Sequence, residues 1–415
     1  MSKLKKCRVC GNKELFKVID LGSQYLSGIF PKDNNEDISC GELSLVLCSE
    51  KGCGLLQLEQ TFNPTEMYGD NYGYRSGLNE TMVKHLKSKV DYIQNSFEIF
   101  QNDLVLDIGS NDGTTLNFYT KKDIIKVGFD PSGDKFKENY LPGTILISDF
   151  FSSSLFRQKF KEKKAKVITS FSMFYDLEDP LRFMQDIFDI LDENGVWIFE
   201  QSYMPLMLQN NSYDTICHEH IEYYSISQIK WMADKIGLNI LDINFNKING
   251  GSFSVTIGKK LTTKPYIKLN ELINIEKEYN LNDRETYKKF QARINESKHQ
   301  LREFIHIAKK NSKKIMALGA STKGNTILQY CGLSRDDISF IGEVNPNKYG
   351  CYTPGSKIPI IPEQEVINKK PDYLIILPWH FKDFFTKKIK YHRNTQLVFP
   401  LPEFQIVNPE NTYEL

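Results

Sequence analysis

Four groups of residues in this sequence have the types and spacing to do chemistry. Cys7-x2-Cys10 and Cys48-x4-Cys53 form two close pairs. Each turn can present two thiolates to one ion, and four thiolates close a tetrahedral zinc site with no open position, so a structural zinc is expected. Cys40 is an alternative ligand, with a less turn-like separation from Cys48. The second group is Leu104-Val-Leu-Asp-Ile-Gly-Ser-Asn-Asp-Gly113, an apolar run entering a loop with Gly109, Asn111 and Gly113. Glycines there let the backbone approach a ligand closely. Asp107 and Asp112 would repel a phosphate but suit a cation, such as the sulfonium and ammonium of S-adenosylmethionine. Asp130 follows Val127-Gly-Phe129, where an acid can take ribose hydroxyls, and Asp149-Phe150 falls where a third strand would end, beside an adenine.

The third group is Thr215-Ile-Cys-His-Glu-His-Ile-Glu-Tyr-Tyr-Ser225. His218, Glu219 and His220 put two of the seven histidines and a carboxylate side by side, a base with a charge partner. The spacing is not His-Glu-x-x-His, so it lacks the one-turn separation that faces two metal ligands inward. The fourth is Ala317-Leu-Gly-Ala-Ser-Thr-Lys-Gly-Asn-Thr326, a strand, a neutral-to-basic turn and a helical segment. Ser321, Lys323, Gly324 and Asn325 suit an anion at a helix N-terminus, and a diphosphate that is bound rather than hydrolysed fits, because no P-loop order is present.

These groups need a scaffold. Short β segments, Phe16–Leu21 and Leu43–Leu47, surround the cysteines, and a helical pattern covers about Leu78–Asn95. Apolar runs at Leu104–Ile108, Ile125–Phe129, Lys166–Thr169 and Val196–Phe199 alternate with helix-like segments, the signature of a parallel sheet with helical crossovers. A second such set comprises Ile315–Leu318, Ile338–Ile341, Tyr373–Leu377 and Gln396–Phe399. Between the sets lies a charged stretch with Tyr287, Phe290, Ile294, Leu301 and Ile305 at helical spacing. The expected fold is α/β: a zinc-binding module over 1–65, a class I Rossmann-like methyltransferase domain over 66–250, a helical connector over 251–310, and a C-terminal Rossmann-like α/β domain over 311–415.

Composition removes other classes. The 415 residues are 40% hydrophobic, with 53 basic and 52 acidic residues and a net charge of +1. A chain of this length calls for two or three domains. The balanced charge argues against nucleic acid as a partner, and no apolar run has the ~18 residues of a membrane span. Without an apolar segment behind the basic N-terminus a cytoplasmic protein is expected. Eight cysteines with five in the first 53 positions point to metal rather than a disulfide scaffold.

Taken in order, these motifs resemble the zinc-bearing, S-adenosylmethionine-dependent C-methyltransferases of nucleotide-linked keto-deoxysugars. The likeness rests on Cys7-Arg-Val-Cys-Gly11, Cys53-Gly-Leu-Leu-Gln-Leu58, Tyr72-Gly-Tyr-Arg-Ser-Gly77, Asp107–Gly113, His218-Glu-His220 with Tyr223-Tyr-Ser225, Gly319–Asn325 and Asn345-Pro-Asn-Lys-Tyr-Gly350, across nearly the whole chain. The resemblance implies that the sugar nucleotide lies between the two Rossmann-like domains. It implies that His220 removes the proton beside a ketone, with His218 and Glu219 as neighbours, and that Tyr72 or Tyr74 and Tyr224 stand near the sugar. Two positions depart from the family pattern: Cys217 replaces a tyrosine before His-Glu-His, and Asp176 replaces a histidine before Asp179-Pro180. These departures open two rival readings, methylation of oxygen or nitrogen and ligand binding without turnover. A zinc-ribbon RNA methylase is a further rival, which the balanced charge disfavours. A monomer or weak homo-oligomer is expected.

Overall fold

Alternation of inward Ile19 and Leu21 with polar neighbours makes Leu15–Tyr25 (β1) a strand with one buried face. It pairs antiparallel with Cys40–Cys48 (β2), which pairs with Leu56–Leu58 (β3). The fourth strand of this sheet comes from far along the chain: Glu222–Tyr223, just after His218-Glu-His220, pairs antiparallel with Gln57 and Leu56. The computed structural model describes residues 2–63, 67, 75–260, 268–389 and 395–408.

The second sheet has seven strands: Leu104–Ile108 (β4), Ile125–Phe129 (β5), Ile145–Ile147 (β6), Ala165–Phe171 (β7), Leu191–Ser202 (β8), Asn239–Asn246 (β9) and Ser252–Gly258 (β10). Their spatial order is β9-β10-β8-β7-β4-β5-β6, parallel except for β10. The chain winds from β4 to one side and returns through β7 to the other. A crevice therefore opens at the carboxyl ends of β4 and β7. Ser252–Gly258 hydrogen-bonds between β8 and β9, which corrects the boundary expected at residue 250: the segment after Gly250 is sheet, not helical connector. Phe253, Val255 and Ile257 alternate with Ser252, Ser254 and Thr256, the period-2 pattern of a strand, so this boundary could have been read from the sequence.

The third sheet runs Ile360–Pro362, Ile341–Glu343, Ile315–Leu318, Tyr373–Ile376, Gln396–Phe399, Gln405–Val407, parallel but for the last. It too reverses at its first strand, placing a second crevice beyond Leu318 and Ile376. The strand expected over Ile338–Ile341 lies at Ile341–Glu343 instead, because residues 338–340 make the turn into it. Between the sheets, Leu269–Glu278 and Arg284–Lys310 are helices. Tyr287, Phe290, Ile294, Leu301 and Ile305 are buried in one core with Ile19, Leu45 and Leu47 of the first sheet and Ile315 and Leu318 of the third. Cys7, Val9, Cys48 and Leu55 are buried instead in the core of the seven-stranded sheet. The N-terminal module thus binds both α/β cores together.

Candidate active site

At one end of the first sheet, the sulfurs of Cys7, Cys10, Cys48 and Cys53 all lie within 4.8 Å of one another. Cys7 Sγ is 3.6 Å from Cys53 Sγ, and Cys10 Sγ is 3.5 Å from Cys48 Sγ. Zn–S bonds of ~2.3 Å to a tetrahedral ion require similar separations. A Cβ on Gly52 would stand 2.6 Å from Cys48 Sγ and 2.9 Å from Cys10 Sγ, so the turn is shaped to the sulfurs. The donor set fits a closed zinc site. Cys40 is exposed at the opposite end of β2 and is no alternative ligand. Beside Cys7, the Arg8 guanidinium donates to the carbonyls of Leu58 (2.7 Å) and Gln60 (3.2 Å) and to Thr61 Oγ1 (2.9 Å). This ties the cysteine turns to the strand that receives Glu222–Tyr223.

The crevice of the seven-stranded sheet is a cleft of about 530 Å³. Asp107, Gly109, Asn111, Asp130, Asp149 and Phe150 line it, together with Met173, Asp176 and Phe183. Asp107 is buried and accepts a 2.5 Å hydrogen bond from Thr169 Oγ1; burial lifts its carboxyl to about 7. A buried acid of this kind favours a cationic ligand, which would draw it into its charged form. Asp130 holds the loop: its Oδ2 accepts from the Asn111 N–H (2.8 Å), and its Oδ1 accepts from the Ser132 N–H (2.8 Å) and hydroxyl (2.6 Å). A carboxylate still has lone pairs to offer a ribose. Two residues expected at the cofactor do not line the cleft. Asp112 accepts from the Gly77 N–H (2.9 Å), Arg75 Nε (3.3 Å) and Thr114 Oγ1 (2.6 Å), and Gly113 turns the chain into the next helix at φ +75. The acids together with Phe129, Phe150 and Phe151 fit S-adenosylmethionine; the four lining phenylalanines other than Phe150, namely Phe129, Phe151, Phe171 and Phe183, needed the fold to bring them in.

The His-Glu-His segment divides by face. His218 points to the zinc module, edge-on to Phe62 at 4.5 Å, with Nε2 3.4 Å from the Gly41 carbonyl. It packs one sheet against the segment and is not placed for proton transfer. His220 faces the other way. Its Nδ1 lies 2.7 Å from the Thr215 carbonyl and its ring is edge-on to Tyr175 at 4.3 Å. A carbonyl only accepts, so Nδ1 carries the hydrogen and Nε2 the lone pair. Burial, reinforced by the Lys323 ammonium, holds His220 down at about 4, and the ring is a neutral base at pH 7. Glu219 is pushed up to about 7 by burial, against the pull of Lys348. Cys217, Glu219 and His220 bring one donor atom each within 4.8 Å of one another. Burial drives the Cys217 thiol well above its ordinary value, with Glu219 and Asp176 adding to the effect.

Three other expectations meet the structure differently. Tyr224 is fully buried, stacked on Phe174 at 5.4 Å, and its hydroxyl donates to Glu222 Oε2 at 2.5 Å; it belongs to the core and does not meet a substrate. The second glycine loop is not an open phosphate cradle. The Ser321 hydroxyl accepts from the Gly324 N–H (3.1 Å), a Cβ on Gly324 would meet Leu377 at 3.0 Å, and buried Asn325 donates to the Ser27 carbonyl (2.7 Å). Lys323 donates to the Asn249 carbonyl at 2.8 Å. Tyr72 and Tyr74 lie outside the described residues.

Several functional candidates escaped the sequence. Asp214 accepts from Trp379 Nε1 at 2.8 Å. Trp379 and His380 follow the strand Tyr373–Ile376 at the second crevice, so the same strand-end reasoning applied to Pro378-Trp-His380 would have found them. Lys348 donates to the Ala320 carbonyl (2.8 Å) over the Phe30 ring. Among the described residues, Asp214 Oδ1, Thr215 Oγ1, His380 Nδ1 and Tyr223 Oη are buried without a hydrogen-bond partner. Each such atom costs ~1–3 kcal/mol unless something bonds it.

The chain matches three families in succession: a zinc binding domain over residues 7–68, a methyltransferase domain over 79–243 and a C-methyltransferase C-terminal domain over 247–402. The C-methyltransferase NovU of Streptomyces niveus is 26% identical over 417 residues, covering 98% of each chain. Among solved structures, the plantazolicin methyltransferase BpumL in complex with SAH has 14% identity over 44% of this chain and 87% of that one, with a TM-score of 0.35. A complex of the Haloferax volcanii Trm112 methyltransferase activator has 13% identity over 44% and 95%, also with a TM-score of 0.35. No helix among the described residues is long and apolar enough to cross a membrane. The succession of matched domains agrees with the four-sulfur site, the acidic cleft and the second α/β sheet: the protein is an S-adenosylmethionine-dependent methyltransferase that carries a zinc-binding module and a C-methyltransferase C-terminal domain.

Proposed function

We infer that the acceptor is the carbon beside the ketone of a nucleotide-linked keto-deoxysugar, and that His220 is the base that exposes it. The observation carrying this reading is the state of His220: neutral, with Nε2 unprotonated, and on a segment that joins Asp176 of the cofactor cleft to Lys323 of the second crevice. S-adenosylmethionine supplies an electrophilic methyl group on a sulfonium. Asp107, Asn111, Asp130 and Asp149 would hold it, with Phe150 beside the adenine. His220 takes the proton from the carbon, and the Thr215 carbonyl keeps its ring oriented while Nδ1 gains positive character. Such a base contributes ~10²–10⁴-fold. The second crevice, with its own Rossmann-like topology, is the natural seat of the nucleotide.

The protein is incubated in deuterated water with a panel of nucleotide-linked 4-keto-deoxysugars, with and without S-adenosylmethionine. The expected result is deuterium beside the ketone in both cases and a new C-methyl with the cofactor. His220→Asn should abolish both while leaving each ligand bound. A methyl on oxygen or nitrogen would replace this reading with heteroatom methylation. Exchange retained in His220→Asn would remove the base assignment.

A further inference from the structure

The proton transfer above leaves a negative charge on the ketone oxygen, and the two positions that depart from the family pattern, Cys217 and Asp176, hold neither phenol nor imidazole. A buried thiol is a weak donor, and a carboxylate only accepts. Lys323 nevertheless exerts its charge on both Cys217 and His220. We propose that Lys323 is a catalytic residue: its ammonium holds the ketone oxygen and takes up the charge that develops there as His220 removes the neighbouring proton. The proposal rests on the keto-sugar reading and names the group that reading lacks.

The placement comes from packing. Lys323 sits in the first turn of the helix Thr322–Tyr330, and that helix lies along the His-Glu-His segment: Thr326 Oγ1 donates to the Ile216 carbonyl at 3.4 Å. Thr322 and Glu219 crowd the same glycine, since a Cβ on Gly28 would meet Glu219 Oε1 at 1.9 Å and Thr322 Oγ1 at 3.6 Å. Lys323 Nζ donates to the Asn249 carbonyl at 2.8 Å. An ammonium has three donors, so two remain for a ligand. Asp214, Cys217, His220 and His380 all feel its charge. Asp214, fixed by the Trp379 indole, has its other oxygen unpaired, as are Thr215 Oγ1 and His380 Nδ1. The charge of Lys323 thus reaches the base and the side chains of Asp214 and His380, whose polar atoms are buried without partners. The same lysine weakens Cys217, Glu219 and His220 as a metal site, because a positive charge already faces two of the three donors.

In the step, the C–H electron pair becomes the C=C of the enolate, the proton passes to His220 Nε2, and the carbonyl π pair moves to the oxygen held by Lys323. When the carbon bonds the methyl, the C=O re-forms and the S–CH₃ pair stays on sulfur as a neutral thioether. A diphosphate ligand would use the lysine differently, since its charge is the same before and during reaction.

The test compares Lys323→Met and Lys323→Arg with the parent, using a dTDP-linked 4-keto-6-deoxyhexose in deuterated water. Preorganised charge of this kind is worth ~10²–10³-fold in rate. Lys323→Met should lose that factor in both exchange and methyl transfer at saturating sugar, with sugar affinity changed by less than ~3-fold. Lys323→Arg should recover part of the rate, and unchanged S-adenosylmethionine binding would certify the fold. A large loss of sugar affinity with exchange intact at saturation would return Lys323 to the diphosphate and overturn the proposal. A rate lost in Tyr223→Phe but kept in Lys323→Met would give the oxygen to the phenol instead. If the parent exchanges no sugar of the panel, the substrate reading falls by itself. Lys323 is then judged by NMR titration of His220, whose pKa should rise in Lys323→Met; an unmoved pKa overturns it.

Discussion

Two loops in this chain share a local design and meet different fates. Gly109–Gly113 and Gly319–Asn325 each follow an apolar parallel strand at a reversal of sheet order, and each leads into a helix. The first opens on a cleft of about 530 Å³. The second is pressed against the zinc module, with Asn325 bonded to the Ser27 carbonyl and Gly324 against Leu377. The turn chemistry is local, whereas the choice between ligand and protein as its partner is made by whichever element arrives on top. Here Ser27 and Gly28 arrive on the second loop and take up Asn325, while Lys323 turns to the Asn249 carbonyl.

That contrast can be broken at its base. Removing zinc, or replacing Cys48 by serine, should have the largest effect, because structural zinc contributes ~10 kcal/mol or more to such modules. The module then ceases to hold Glu222–Tyr223, His220 loses its position, and methyl transfer should fall ~10²–10⁴-fold, the range for a lost base. Zinc content and hydrogen exchange over residues 216–224 would show it; protection surviving without metal would detach the module from the site. Next is Gly28→Ala, whose Cβ must displace Glu219. Misplacement by about 1 Å can cost ~10²-fold, so turnover should drop by that order while S-adenosylmethionine affinity holds.

The acidic loop gives a pH test. Burial raises Asp107 from 3.8 to about 7, so without ligand it is protonated below about 7. The folded, ligand-free protein thus holds a proton that the unfolded chain has released above 3.8, and this group's contribution to stability falls as pH rises toward 7. A cationic ligand needs the ionised form. Its affinity, followed by calorimetry, should climb ~10-fold per pH unit up to about 7 and then level off; a flat profile would remove Asp107 from the cation. The smallest effect is expected at the second loop. Asn325→Ala strands the Ser27 carbonyl and should cost ~1–3 kcal/mol in urea unfolding, without changing S-adenosylmethionine affinity.

Much of this was legible in the residues. Leu104–Ile108, Ile125–Phe129 and Ile315–Leu318 are strands at the expected positions, because uninterrupted apolar runs bounded by glycine loops have few other uses. The four cysteines converge because two tight turns need only one partner surface. What was not legible depends on contacts between distant segments. Nothing in Glu222-Tyr223 announces a strand, since two residues have no periodicity and their partner is Leu56-Gln57. The separate faces of His218 and His220 follow from that pairing, as does the burial of Tyr224. Asp214 was passed over because it owes its place to Trp379, far along the chain, and the role of Lys348 within Asn345–Gly350 needed the fold to bring it to the Ala320 carbonyl.

The borrowed strand also bears on how the molecule is made. During synthesis the cysteine module emerges first, yet its sheet has a vacant edge until residue 223 leaves the ribosome, roughly ten to thirty seconds later at usual rates. Its loop at Ser27 waits longer still, for Asn325. An unpaired edge is an invitation to foreign strands, so the nascent chain has reason to be shielded over this interval, and an amino-terminal fragment ending before residue 222 would carry the same exposed edge permanently.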